Sequence, residues 1–202
     1  MTHAAAHREF TPSDMAEGDV YKLLSGAVLP RPIAVVTSRS PEGIANAAPF
    51  SFFGILSHAP ATVAIGIEPR PDGTRKDTAR NIIETGEFTL HIPDVAMAQA
   101  VQDIAAPEAP EVDEIDLCGL ARVPGTHVDC PRLLAAPVAL ECRFDQRLDL
   151  GPARDIVIGT VEGIFIREGA VNAALHVDPE RIDALGRLGG ATFATTRDRF
   201  QL

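Results

Sequence analysis

The chain has 202 residues, of which 46% are hydrophobic, and a formal net charge of −10 at pH 7. This length and hydrophobic content suffice for one packed domain and leave little room for a second. The acidic balance argues against nucleic-acid and anionic-membrane partners, because both reward clustered lysine and arginine.

The N-terminus is polar and lacks a signal-peptide core, so residues 1–17 are predicted to be a flexible segment before one domain over residues 18–202. No apolar run is long enough to span a bilayer. The three cysteines, Cys118, Cys130 and Cys142, are an odd number at wide spacing. Such spacing is typical of a reducing compartment and not of a disulfide framework, so we expect a cytoplasmic protein.

The first regular pattern predicts a β-hairpin. Ile33–Ser38 is a continuous apolar strand, and the chain restarts at residues 43–46 after a Pro-Glu-Gly turn. Thr62–Ile67 is predicted as a further strand. The segment 68–73 that follows is so rich in proline and glycine that it indicates a loop.

Two helices are predicted next. Asp77 is the expected N-cap of a helix over about Thr78–Thr85, with Gly86 as its C-terminal stop. Asp94 is expected to cap a second helix that continues to about Ala105. Between them, Phe88, Leu90 and Ile92 alternate with polar neighbours, which predicts a half-buried strand.

The second half of the chain again favours strands. Residues 107–116 are acidic and contain proline, so we expect an exposed loop there. Alternation at 138–144 and the long run Ile156–Ile166 predict two strands, and the glycines at 159 and 163 indicate bulges. Asp178 and Pro179 are expected to open a short helix. Many short strands with a few helices favour a mainly β, Greek-key barrel over a parallel doubly wound sheet.

Residues that follow or end these strands indicate a ligand site. Small hydroxyl and amide residues leave room for a flat ligand and offer neutral hydrogen bonds to its edge. The corner formed by Lys76, Asp77 and Thr78 offers a cation and backbone N–H donors to a phosphate. Together these halves predict a planar heterocycle with a phosphate tail.

Both parts of the predicted ligand site also have a purely structural explanation. Ala47-Ala48-Pro49 is, on composition alone, a plain tight turn between strands. The four basic residues of segment 70–80 could form an ordinary basic loop and helix face. However, like charges at that density repel one another unless an anion offsets them.

Four segments in this order resemble the flavin reductase-like, FMN-binding split-barrel family: RPIAVVTS (31–38), NAAPFSFF (46–53), KDTARNI (76–82) and LGG (188–190). The resemblance covers roughly residues 18–200. It implies a six-stranded split β-barrel that forms a homodimer, with FMN bound near the subunit interface.

The resemblance also assigns site residues. It implies that the FMN phosphate and ribityl chain contact Lys76, Asp77 and Thr78, with Asn81 one turn later. The isoalloxazine edge would meet Thr37, Ser38, Asn46 and Ser51, while Ala47, Ala48 and Pro49 form a low wall beside the ring. The neighbouring phenylalanines, Phe50, Phe52 and Phe53, are expected to pack in the core and the dimer interface.

The implied activity is transfer of hydride from NAD(P)H to flavin, with reduced flavin supplied to a partner oxygenase. This chemistry belongs to the cofactor and needs no protein nucleophile or metal. Accordingly, we predict no catalytic side chain and no metal site, since no histidine has ligand spacing to cysteine or carboxylate. A GxGxxG fingerprint is absent, so NAD(P)H would bind on the flavin face.

Two departures from the family pattern leave the electron donor open. Phe165 stands where many relatives have histidine, and Phe193 where many have tyrosine. One alternative is therefore a flavin-binding electron carrier, similar to flavoredoxins, without nicotinamide turnover. Another is an oxidase resembling the pyridoxamine-phosphate oxidases, although the Asn-Ala-Ala-Pro and Lys-Asp-Thr motifs fit the reductases better.

Overall fold

The computed structural model describes residues 7–200. Residues 1–6 of the predicted flexible segment and residues 201–202 of the predicted domain lie outside this range. The described chain opens with a 3₁₀ turn, Pro12–Asp14, and helix α1, Glu17–Ala27. No helix in residues 7–200 is long and apolar enough to cross a membrane.

Twelve strands form three antiparallel sheets in the described residues. The main sheet has the order β3-β2-β6-β9-β10-β5-β4, and its strands in chain order are β2 Ala34–Arg39, β3 Ala45–Phe50, β4 Phe53–His58, β5 Ala61–Ile67, β6 Glu87–Ile92, β9 Val138–Asp149 and β10 Asp155–Ile166. A three-stranded sheet joins β1 Arg31–Pro32, β11 Leu185–Arg187 and β12 Phe193–Thr195, and a two-stranded sheet joins β7 Arg122–Val123 to β8 Arg132–Leu133. The fold is mainly β, as predicted, but the main sheet has seven strands where the resemblance implied six.

Four further α-helices connect these strands: α2 Asp77–Thr85, α3 Ala98–Asp103, α4 Glu114–Leu117 and α5 Pro179–Ile182. The predicted stops and caps are largely confirmed. Gly86 adopts a left-handed conformation (φ 78°) at the end of α2, and the Asp94 side chain caps the 3₁₀ turn Val95–Met97 that leads into α3. Asp178 accepts a hydrogen bond from the Glu180 N–H at the start of α5.

The prediction that Asp77 is the N-cap of α2 is wrong. Lys76 occupies the N-cap position without a side-chain capping bond, and Asp77 is the first helical residue. Its carboxylate is held instead by ion pairs to Arg70 and Arg80. An acidic residue in the first turn still interacts favourably with the positive end of the helix.

The expected hairpin and bulges are present. β2 pairs with β3 across the turn at residues 40–44, where Gly43 has φ 90°. The register of β9 and β10 shifts at Gly159 and Gly163, as the glycines predicted. Ala47, Ala48 and Pro49 lie within β3, so the alternative of a tight turn is wrong.

β6 is not half-buried, contrary to expectation. It lies between β2 and β9, and Phe88 to His91 are buried on both faces. Phe88 and Leu90 face a core that includes Ile65 and Ile82. The polar Thr89 and His91 face the loop at 124–133 and hydrogen bond to its backbone. Alternation alone could not distinguish a solvated face from one covered by a polar loop.

Candidate functional site

A cavity of about 350 Å³ opens where β3, the start of α2 and α4 meet. Its wall combines small apolar residues with amide, hydroxyl and charged groups: Asn46, Ala48, Pro49, Arg70, Pro71, Lys76, Asp77, Thr78, Ile104, Ala105, Ala106, Pro107, Glu108 and Glu114. We call it the first cavity. Six of the residues predicted for the ligand site line it: Asn46, Ala48, Pro49, Lys76, Asp77 and Thr78.

A chain of hydrogen bonds sets the geometry of one wall. The Thr78 hydroxyl donates to the Asn46 amide oxygen at 3.0 Å. The Asn46 amide nitrogen in turn lies 3.1 Å from each carboxylate oxygen of Glu114, and the Ala47 N–H donates to the same carboxylate at 3.3 Å. These bonds connect α2, β3 and α4, so the side chain of Asn46 has one defined orientation.

Glu114 is one of the eight cavity residues that sequence reasoning did not assign to the ligand site. The expectation of an exposed loop over residues 107–116 is wrong at its end, because Asp113 caps α4 and Glu114 is 8% exposed. Burial raises the pKa of the Glu114 carboxyl; nearby Asp77 adds to this effect, while the bonds from Asn46 and Ala47 oppose it. The capping aspartate before Glu-Ile-Asp-Leu was the available local signal for α4. Nothing local indicated the contact with Asn46.

The basic residues around α2 differ in how their charge is compensated. Arg70 and Arg80 both pair with Asp77, and Arg75 pairs with the buried Asp155 at 2.8 Å. Carboxylates of the protein therefore relieve most of the repulsion that we predicted among these basic residues.

Lys76 is the exception on the cavity wall. Its ammonium lies 5.5 Å from the centre of the Phe50 ring and pairs with no carboxylate in residues 7–200. Burial lowers the pKa of Lys76, an effect that Glu68 opposes and Arg70 reinforces. An anion in the cavity would therefore find one cation that forms no ion pair within residues 7–200.

Four other predicted residues lie behind the wall. The Thr37 hydroxyl, fully buried, donates to the Pro131 carbonyl at 2.6 Å. The buried Asn81 amide donates to the Ser38 hydroxyl at 3.3 Å, which ties α2 to β2. Ala47 contributes its backbone to the Glu114 contact. In this chain, these residues support the wall and do not line the first cavity.

A second cavity of about 180 Å³ adjoins the first, since Pro49 and Ala105 line both. Ser51 lines this second cavity and accepts a hydrogen bond from the Arg31 Nε–H at 3.2 Å. Phe193 also lines it, whereas Phe165 lies in a different part of the molecule, under Arg132 and beside His127. The two departures from the family pattern therefore do not share one site within the chain.

The sequence matches the model of a known family. The family model described as a flavin reductase like domain matches residues 25–186. The chain belongs to this family.

Solved structures and a curated relative agree with this membership. Nitrilotriacetate monooxygenase component B from Bacillus cereus has a TM-score of 0.93 and 33% identity, covering 98% of this chain and 100% of that one. The 2-nitrobenzoate 2-nitroreductase NbaA from Pseudomonas fluorescens has a TM-score of 0.88 and 32% identity, covering 96% and 95%. An uncharacterized protein of Deinococcus radiodurans is 41% identical, covering 98% of this chain and 89% of its own length. The chain thus has the split-barrel fold of flavin-related oxidoreductases.

Proposed function

We propose that the protein binds FMN in the first cavity and transfers hydride from NAD(P)H to flavin. The observation that carries this proposal is Lys76, a half-buried ammonium without a carboxylate partner in residues 7–200, at the N-cap of α2. Backbone N–H groups of a first helical turn have no intrahelical acceptor, so a phosphate there would receive both a cation and N–H donors.

The remaining wall also fits FMN. Ala48 and Pro49 present a low apolar surface, Asn46 offers a polar group at the start of β3, and Ser51 offers one just after its end. The Glu114 carboxylate, which faces the same cavity, is suited to accept hydrogen bonds from ribityl hydroxyls. Asp77 does not oppose an anionic ligand strongly, because two arginines offset its charge.

Bound FMN would supply a ring that accepts a hydride, and the protein would supply position and exclusion of water. Cys130 and Cys142 do not line this cavity, and burial raises their thiol pKa values to about 12. By analogy with the component B protein, we also propose that reduced flavin passes to an oxygenase. The three unpaired cysteines suit a reducing cytoplasm.

The proposal includes a homodimer. β4 is an edge strand of the main sheet, and its Ile55 and Leu56 are 77% and 58% exposed. Phe52 and Tyr21, whose ring centroids are 6.1 Å apart, extend the same apolar surface. Exposed apolar edge strands are a liability unless another surface covers them, and a second copy is the simplest cover.

The test compares two flavins that differ only in the phosphate. Lys76→Ala should weaken FMN binding about 10- to 100-fold, since it removes a charge-assisted hydrogen bond worth roughly 1.5–3 kcal/mol. Riboflavin binding should hardly change. Quenching of flavin fluorescence measures both affinities. The matched control is Lys22→Ala, the chain's other lysine, which is exposed and paired with Asp19.

Equal losses for both flavins would mean that Lys76 holds the shape of the loop and not a phosphate. No loss for either would remove this cavity from the flavin site. Oxidation of NADH and NADPH by the FMN-loaded protein then separates a reductase from an electron carrier without nicotinamide turnover, because only the reductase consumes either nucleotide catalytically.

A further inference from the structure

Two arginines beside the second cavity form no ion pair with the described residues. Arg31 and Arg187 lie directly opposite each other where β1 pairs with β11. Neither pairs with a carboxylate in residues 7–200, whereas every other described lysine and arginine except Arg8 and Lys76 does. Like charges directly opposite in an antiparallel pair are destabilising. Two adjacent arginines without an ion pair are unexpected in a chain with a net charge of −10.

Arg31 is held by neutral groups alone. It is 5% exposed, and its guanidinium donates to the Ser25 and Leu188 carbonyls and to the Ser51 hydroxyl. A guanidinium does not lose its proton in proteins, so these neutral acceptors leave a full positive charge behind Ser51. A buried cation without a counter-ion is costly unless a ligand supplies one.

Arg187 lines the cavity itself. Its guanidinium carbon lies 4.6 Å from the centre of the Phe193 ring, and it donates to the Gly190 carbonyl at 2.5 Å. Tyr21, Phe50 and Phe193 also line this cavity. The second cavity therefore combines aromatic walls with the Arg187 guanidinium, which forms no ion pair in residues 7–200. The Arg31 guanidinium lies behind the wall, where it donates to the Ser51 hydroxyl.

The position of the cavity indicates its occupant. The proposed phosphate end lies at Lys76, and several predicted ring-binding residues lie on β3, which Ser51 directly follows. At about 3.3 Å per strand residue, the strand from Asn46 to Phe50 extends about 13 Å. The second cavity is thus at the end where a ring would meet the other reactant.

We propose that the second cavity binds the anionic group of the second reactant, with Arg187 as its direct partner and Arg31 as supporting charge. The reactant class is a planar aromatic compound that carries a carboxylate or phosphate. Its ring would contact Phe193, and its anion would contact the guanidinium, which suits carboxylates and phosphates through paired N–H donors. This proposal rests on the proposed function.

The experiment uses the full-length, FMN-loaded protein and follows the flavin absorption spectrum. Benzoate and benzamide serve as probes, since they share a ring and differ in charge. We expect benzoate to bind at least about tenfold more tightly than benzamide. Arg187→Gln should remove this preference while benzamide binding and FMN affinity stay within about twofold. Arg187→Lys should restore part of the preference.

The matched control is Arg181→Gln, because Arg181 is exposed and paired with Asp178. A second arm measures the KM and kcat for NADH. A rise in KM of about tenfold with little change in kcat in Arg187→Gln assigns the subsite to the phosphates of the nicotinamide dinucleotide. An unchanged KM with a lost benzoate preference assigns it to an aromatic acid acceptor.

The proposal is overturned if Arg187→Gln changes neither the benzoate preference nor the KM. It is also overturned if the variant loses FMN affinity instead, since the cavity would then belong to the flavin. Failure of the parent protein to bind FMN would refute the proposed function itself and is measured before either arm begins.

Discussion

Two buried glutamates, Glu114 and Glu141, show how the same side chain is used in different ways in this protein. Glu141 is fully buried and pairs with Arg132 at 2.9 Å, and it accepts hydrogen bonds from the Thr126 and His127 N–H groups. Glu114 has only neutral donors, Asn46 and Ala47, and lines the first cavity. Charge that is compensated inside the fold stabilises structure, whereas charge left with neutral partners remains available to a ligand.

The same contrast separates the regions around these residues. The loop at 124–133 is anchored by Glu141 and by His91, whose Nε2 accepts from the Leu133 N–H at 3.0 Å. The cavity wall is connected by the Thr78–Asn46–Glu114 bonds and keeps Lys76 without a carboxylate partner within residues 7–200. Substitutions of Glu141 or His91 should therefore affect stability, and substitutions in the cavity wall should affect ligand binding.

The largest expected effect is at Glu141. Glu141→Gln should lower the free energy of unfolding by about 3–5 kcal/mol, because it removes the charge that pairs with Arg132 and turns an amide N–H group, a donor, toward that guanidinium. Urea denaturation measures the loss. Glu162→Gln, an exposed glutamate of β10, is the control and should change stability little. A loss below 1 kcal/mol would contradict the anchoring role.

The next largest effect is the pH dependence of the free energy of unfolding that His91 causes. Burial lowers its pKa from the ordinary 6.5 to about 4, and its Nδ1 lies 3.0 Å from the Val35 carbonyl oxygen. Between these values the unfolded chain binds a proton that the folded chain does not, so stability falls as pH falls through this window. The contribution is on the order of 3 kcal/mol.

His91→Asn should therefore be less stable at pH 7 but lose less stability than the parent between pH 6.5 and pH 4. Urea denaturation at several pH values measures how the free energy of unfolding of the parent and of His91→Asn changes with pH. His58→Asn serves as the control, because His58 is exposed. Parallel slopes for the parent and His91→Asn would show that His91 does not carry this dependence.

The smallest effect is expected at Glu114 and has the opposite sign with pH. Because the pKa of Glu114 is raised in the folded protein, the folded state binds the proton more tightly, and its contribution to stability is lost as pH rises through that pKa. The stability of the parent relative to Glu114→Gln should thus decrease from pH 4 to pH 7, by less than the change expected from His91.

In contrast to Glu141→Gln, the Glu114→Gln variant should alter FMN affinity measurably while it remains folded. Glu111→Gln, an exposed glutamate in the same segment, is the matched control. A large loss of stability with unchanged FMN affinity would mean that Glu114, like Glu141, stabilises the fold and does not bind the ligand.

Much of the local structure could be read from the sequence. The Pro-Glu-Gly turn with Gly43, the stop at Gly86 and the bulges at Gly159 and Gly163 were predicted, because each depends on the conformation of a few neighbouring residues. The Lys-Asp-Thr corner at 76–78 and three residues of β3, Asn46, Ala48 and Pro49, also proved to line one cavity, although they lie about thirty residues apart. The resemblance to a flavin-binding family was the signal that assigned both segments to one site.

The sequence by itself therefore determined the class of fold, the turns and the segments that form the first cavity. Only the tertiary structure decided which charges are compensated: Asp77 between Arg70 and Arg80, Glu114 against Asn46, and Arg31 opposite Arg187. The physical reason is that turns and caps depend on adjacent backbone angles. Ion pairing depends on distances of a few ångströms between residues that are far apart in the chain, and sheet register sets those distances.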